Sequence, residues 1–138
     1  MRIFLDANIL FSAAKSDGAM RRLLALLRAA GHELCADGYV IEEARRNLAA
    51  KADRGAAALE ELLRRVRVAP LHPAAPAPVT RPSLPEKDRP VLAAAILLRC
   101  DALVTGDRAH FGKLWGQTIS GVAIHSPRSL AETALKRK

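Results

Sequence analysis

Short apolar runs alternate along this chain with longer stretches of helical periodicity, a pattern that few architectures accept. The first run, Arg2-Ile3-Phe4-Leu5, passes directly into Asp6-Ala7-Asn8. Residues 32–36, 66–69, 101–104 and 122–124 read the same way, each a short and largely apolar strand. Helices lie between them. Leu23, Leu24, Leu26 and Leu27 form one apolar face, with Arg21, Arg22 and Arg28 on the other side and Gly31 as a C-cap residue. Val40, Ile41, Ala44 and Leu48 form a second stripe, and Leu59, Leu62 and Leu63 point inward from a helix over 55–65. Residues 91–98 are apolar almost all round, which predicts a buried helix. Short apolar strands that alternate with helices pair in parallel and are covered on both faces. The expected fold class is therefore α/β, a three-layer α/β/α sandwich around a central, mostly parallel sheet of about five strands. Ligands in such sheets bind at the carboxyl ends of strands, beside the point where strand order reverses.

The 138 residues are expected to form a single domain, 1–138, large enough for a real core. The Pro-rich stretch 70–85 reads as an extended internal connection, because the segments flanking it are too short to be two domains. Ser83-Leu84-Pro85-Glu86 fits a capping box, and Asp88-Arg89-Pro90 is a second start signal, so the next regular helix is expected to begin close to Asp88. Residues 116–121 read as a turn between glycines, and Ser126-Pro127 as the cap of a last helix. No apolar run approaches the roughly 18 residues of a membrane span, and Asp6 interrupts the N-terminal apolar stretch, against a secretory pattern. Cys35 and Cys100, each in an apolar context, read as buried free thiols of a cytoplasmic protein.

The net charge is +8, from 22 Lys and Arg against 14 Asp and Glu, and nucleic acid is the commonest partner of so basic a small domain. A solvated arginine-rich surface explains the charge equally well. The acidic residues separate the two readings. Asp6 ends the first strand, where an isolated buried charge is very costly. Asp107 ends the fourth strand through Thr105-Gly106, Glu43 lies early in the helix after the second strand, and Asp88 precedes the helix that feeds the fourth. Taken singly, Asp6 and Asp88 read as helix caps, Asp107 as a turn residue, and Glu43 as a solvated helix residue with Glu42 as its rival. Asp17, Asp37 and Asp101 read as turn and surface residues. Taken together, four carboxylates at one sheet edge repel unless a cation lies among them, and oxygen-only ligands select Mg²⁺ or Mn²⁺. Such an ion can acidify a bound water and stabilise charge on a phosphodiester. Setting these four acids aside leaves 22 basic against 10 acidic groups, an acidic site in a basic surface, as a metal-dependent nuclease needs.

Four stretches carry a specific resemblance. Residues 3–10 (Ile-Phe-Leu-Asp-Ala-Asn-Ile-Leu), the helix 40–48 around Glu43, the segment 88–95 beginning Asp-Arg-Pro, and residues 103–112 around Thr105-Gly106-Asp107 resemble the PIN-domain family in order and spacing. They cover nearly the whole chain. The resemblance implies a Mg²⁺- or Mn²⁺-dependent ribonuclease, most often the toxin of a VapBC-type toxin–antitoxin pair. By residue, Asp6, Glu43, Asp88 and Asp107 match the family's acidic quartet, and Asn8 and Thr105 match polar residues that support it by hydrogen bonding. Family members often carry a further acid where this chain has Ala109, which implies weaker metal binding, or three acids plus water. Arg45, Arg46, Arg89 and Arg108 are candidates for the RNA backbone. An antitoxin laying a helix in a groove, and a homodimer, are the implied protein partners. His110 reads at least as well in a packing or capping role as in a catalytic one, and Trp115 as a core or partner contact rather than a base-stacking residue. The alternative is a catalytically weak or inactive module of the same fold that binds RNA or a protein. A phosphoacceptor receiver domain ranks below both, because it wants paired acids after the first strand and a lysine near the last.

Overall fold

The computed structural model describes residues 1–51, 55–69 and 89–135. The Pro-rich stretch 70–85, the capping box before Glu86, Asp88 and the basic tail 136–138 lie outside the described residues. Six strands form one sheet: β1 (Arg2–Leu5), β2 (Glu33–Asp37), β3 (Arg67–Ala69), β4 (Ala102–Val104), β5 (Thr118–Ile119) and β6 (Val122–His125). The described helices are α1 (Ala7–Lys15), α2 (Ala19–Ala29), α3 (Gly38–Lys51), α4 (Ala56–Leu63), α5 (Arg89–Leu97), α6 (Arg108–Phe111) and α7 (Pro127–Ala134). A single 3₁₀ turn, Gly112–Leu114, follows α6.

The strand order is β3-β2-β1-β4-β6-β5. All pairs are parallel except β5 with β6. The fold is thus the expected α/β architecture around a mostly parallel sheet, with one strand more than expected. Ile3, Phe4 and Leu5 are all fully buried. Successive strand residues face opposite sides, so both faces of β1 are covered. In register, Phe4 stands between Cys35 of β2 and Leu103 of β4. The chain leaves β1 toward β2 and β3 on one side and later adds β4 and β6 on the other. Strand order therefore reverses between β1 and β4, and the crevice at their carboxyl ends is where such folds bind ligands.

The extra strand comes from the segment expected to be a turn. Ser120 and Gly121 both have positive φ, 49° and 87°, and join Ile119 directly to its partner Val122. Two left-handed residues make the hairpin turn whose twist matches the strands it joins. A two-residue strand carries too little alternation to announce itself in sequence.

Three further expectations are corrected. Leu26 was placed on the apolar face of α2, yet only Leu24 and Leu27 are buried there and Leu26 is 49% exposed. Leu97 is likewise exposed at the end of α5, although Val91, Leu92, Ala93 and Ala95 are buried as expected. Asp37, read as a surface turn residue, is buried at 6% exposure, and its Oδ1 accepts the Val40 amide at 3.1 Å, capping α3. Gly55 permits the entry into α4: its φ is +105°, and a Cβ there would meet the Ala14 carbonyl oxygen at 2.9 Å. Only glycine lets α4 approach α1 this closely. Cys35 and Cys100 are buried free thiols. Among the described residues no helix is long and apolar enough to cross a membrane.

Candidate active site

The crevice between β1 and β4 begins with Asp6. Its amide donates to the Val104 carbonyl at 3.1 Å, which ties the residue after β1 to the end of β4. Its side chain is 5% exposed. One oxygen accepts the Ala7 amide at 2.7 Å, so Asp6 does cap α1. The other accepts the Thr105 hydroxyl at 2.8 Å and the Asn8 amide at 3.2 Å. The cap alone would leave this second oxygen buried without compensation. Several donors on one carboxylate favour its charged form.

Thr105 is fully buried and joins the two strand ends. Its hydroxyl donates to Asp6 and accepts the Asp107 amide at 3.1 Å and an Asn8 side-chain N–H at 3.3 Å. Asn8 spans the same gap, its Oδ1 accepting the Gly106 amide at 2.8 Å. Asp6, Asn8, Thr105 and Asp107 are therefore one hydrogen-bonded unit. The Thr105 amide in turn donates to the His125 carbonyl at 3.0 Å, and its own carbonyl accepts the Trp115 indole N–H at 3.3 Å. Trp115 thus anchors the site from below, and the polar end of its half-buried ring is occupied.

Asp107 caps α6, its Oδ1 accepting the His110 amide at 3.1 Å, while its Oδ2 stands 2.9 Å from His110 Nδ1. Glu43 is half-buried on α3, at the margin of the stripe made by Val40 and Ala44, whereas Glu42 is exposed to solvent. Asp88, the fourth expected carboxylate, lies outside the described residues, and α5 begins at the following residue, Arg89. Among the described residues, no group of three or more His, Cys, Asp or Glu side chains could hold a metal ion. The donors at hand are hard oxygens. Mg²⁺ is commonly held through only one or two carboxylates, with waters and substrate phosphates completing its shell. The chemistry of this donor set therefore suits that ion.

Of the arginines singled out, Arg45 is held by Glu60 of α4, with guanidinium–carboxylate distances of 3.0–3.3 Å. Arg46 is exposed on α3, Arg89 is exposed at the start of α5, and Arg108 is exposed directly after Asp107. Two residues at this edge escaped the sequence reading. Asp37 ends β2 two positions beyond Cys35, as Asp6 stands two beyond its registered partner Phe4. An Asp just before a helical apolar stripe was a readable cap signal. His125 ends β6, with Nδ1 2.9 Å from the Ser129 hydroxyl, and burial pushes its pKa below the ordinary 6.5. Nothing local in the sequence marks it.

A family model for the PIN domain matches residues 2–109. The chain belongs to the PIN-domain family. Among solved structures it is similar to a chain of the VapBC2 complex from Rickettsia felis bound to a DNA fragment from its promoter. That match has 17% sequence identity and a TM-score of 0.63, covers 91% of this chain and 98% of the other, and shows a shared fold. No curated protein sequence matches the chain.

Proposed function

We propose that this protein is a metal-dependent endoribonuclease that hydrolyses RNA phosphodiester bonds, and the toxin of a toxin–antitoxin pair. The observation that carries the reading is the buried Asp6 carboxylate bonded to Thr105, whose hydroxyl also holds the Asp107 amide, at the β1–β4 crevice of a PIN-domain chain. Asp6, Glu43, Asp88 and Asp107 are the residues that would hold Mg²⁺ or Mn²⁺. Such an ion supplies Lewis-acid charge and an activated water for attack on phosphorus. Asn8 and Thr105 orient Asp6 by their hydrogen bonds, and the His110 ring stands beside Asp107. Arg45, Arg46, Arg89 and Arg108 are the candidates for the RNA backbone, and Arg45 is shared with Glu60.

The test is cleavage of a mixed RNA pool with Mn²⁺ or Mg²⁺ and with EDTA, beside the Asp6→Asn variant, which keeps size and removes one ligating charge. Metal-dependent cleavage lost in the variant is the expected result. No cleavage under any condition, with RNA binding intact, would move the reading to a binding module of the same fold. One feature favours that second reading: Ala109 stands at a position where relatives often carry an acid.

The partner reading rests on a second surface. α1, α2 and α4 enclose a groove of about 310 Å³ with walls of Ala13, Leu24, Ala25, Ala58 and Leu62. Arg28 and Arg65 stand at its margin. An antitoxin helix with an apolar stripe and flanking acids suits such a groove. The reading also includes a homodimer and a cytoplasmic protein, the latter in keeping with two free thiols.

A further inference from the structure

The opposite edge of the sheet carries a different chemistry. The connections that enter β2 and β3 lie side by side there, because the two strands are neighbours. Together they line an open concavity of about 530 Å³ with Arg28, Arg64, Arg65 and Arg67. Two carboxylates serve this edge. Glu61 is shared by Arg64 at 3.3 Å and Arg65 at 3.2 Å. Glu33 is shared by Arg2 at 2.8 Å and Arg67 at 3.6 Å. The four guanidiniums of the lining stand against these two carboxylates, a local excess of two positive charges, because Arg2 lies outside the lining and is taken up by Glu33 and the Leu98 carbonyl. Each guanidinium has five N–H donors in a fixed fork, and one shared carboxylate leaves most of them unused.

From this arrangement we infer that the arginine-lined concavity at the amino edge of the sheet binds the phosphodiester backbone of RNA, as a contact separate from the carboxylate crevice. The inference rests on the proposed ribonuclease reading and deepens it. A parallel strand of five residues, the length of β2, spans about 16 Å. One RNA strand a few nucleotides long can therefore reach from this edge to the crevice. The lining also separates RNA from a protein partner. Its apolar members, Leu34 and Val66, are both buried, so the surface offers no apolar anchor of the kind protein interfaces are built on. The α1–α2–α4 groove does offer one, and Arg28 and Arg65 border both hollows. Planar guanidiniums around an open hollow match phosphate oxygens in bidentate fashion.

The triple variant Arg28→Gln, Arg64→Gln, Arg67→Gln tests this. It leaves Arg65 on Glu61 and Arg2 on Glu33, so neither carboxylate loses its last partner. A control variant with the same charge change, Lys15→Gln, Arg22→Gln, Arg128→Gln, lies elsewhere on the surface. Binding of a labelled single-stranded RNA 20-mer is followed by fluorescence anisotropy across a salt series in EDTA, so that no cleavage is required. Melting by circular dichroism checks that all three proteins are folded. The expected result is a roughly ten- to hundredfold weaker Kd for the edge variant at low salt, with its log K against log salt slope shallower by about 2, as three lost single-strand contacts imply. The control should change by much less. Equal losses in the two variants, or none, overturn the edge site while leaving the nuclease reading to its own cleavage test. Wild-type protein that binds no RNA overturns this site whatever the cleavage test finds. Poly-glutamate bound as tightly as RNA, and lost in the edge variant, overturns it in favour of an acidic polypeptide.

Discussion

Thr105 decides how the carboxylate crevice is held. A hydroxyl can donate once and accept twice, and here it donates to Asp6 and accepts from Asp107 and Asn8. Thr105→Val keeps the shape and removes all three bonds inside a fully buried site. Leaving a buried carboxylate oxygen short of a donor costs about 1–3 kcal/mol. Urea unfolding of the variant should report a loss of that size, and RNA cleavage should fall as Asp6 and Asp107 lose their common support. His125 makes a separate statement about acid. Its folded pKa lies below the unfolded 6.5 because burial disfavours the charged ring. The folded state therefore binds fewer protons, and the stabilisation is fully present above pH 6.5 and lost as pH falls below it. Thermal melting between pH 7.5 and 5 should show a drop in Tm, and His125→Gln should make that drop smaller. An unchanged pH dependence in the variant would remove His125 as a cause.

Among the elements, α4 depends on the glycine that precedes it. Gly55 combines a left-handed backbone with a Cβ position 2.9 Å from the Ala14 carbonyl, so Gly55→Ala strains the backbone and pushes α4 off α1 at once. A cost of about 1–3 kcal/mol is expected, measured as a lower denaturation midpoint with unchanged m-value. The same displacement would open the α1–α2–α4 groove, so any partner captured there should bind the variant more weakly. The elements also show where local signals suffice. The apolar stripe of α3 and the Ser126-Pro127 start of α7 are present as read, the latter with a complete capping box between Ser126 and Ser129. Leu26 was misread because a helix with four leucines close together does not say which of them faces the sheet.

For the molecule as a whole, stability should fall from the middle of the sheet outward. β1 has a strand on each side and both faces covered, whereas β3 and β5 end the sheet. Backbone amides in the interior pair open only with global unfolding, and edge amides open locally. Amide hydrogen exchange should be slowest in β1 and in β4 beside it, and fastest in β3 and β5. Comparable protection in β5 and β1 would contradict this ordering. Charge is divided on the same scale, with carboxylates at the carboxyl edge and surplus guanidiniums at the amino edge.

Much of this was legible from residues alone, for a physical reason. Strand and helix periodicity, caps and the acidic positions at strand ends are local properties, set by backbone geometry within a few residues. They were enough for an α/β sheet and for carboxylates at strand ends, Asp6 and Asp107 among them, whereas Asn8 and Thr105 entered only through the resemblance to the PIN-domain family. Strand order, by contrast, depends on how crossovers pack, and only the tertiary structure showed β1 beside β4, Thr105 bonded across them and Asp37 buried at the same edge. The arginines of two separate connections form one concavity for the same reason: β2 and β3 are neighbours, a fact that no stretch of the chain carries by itself.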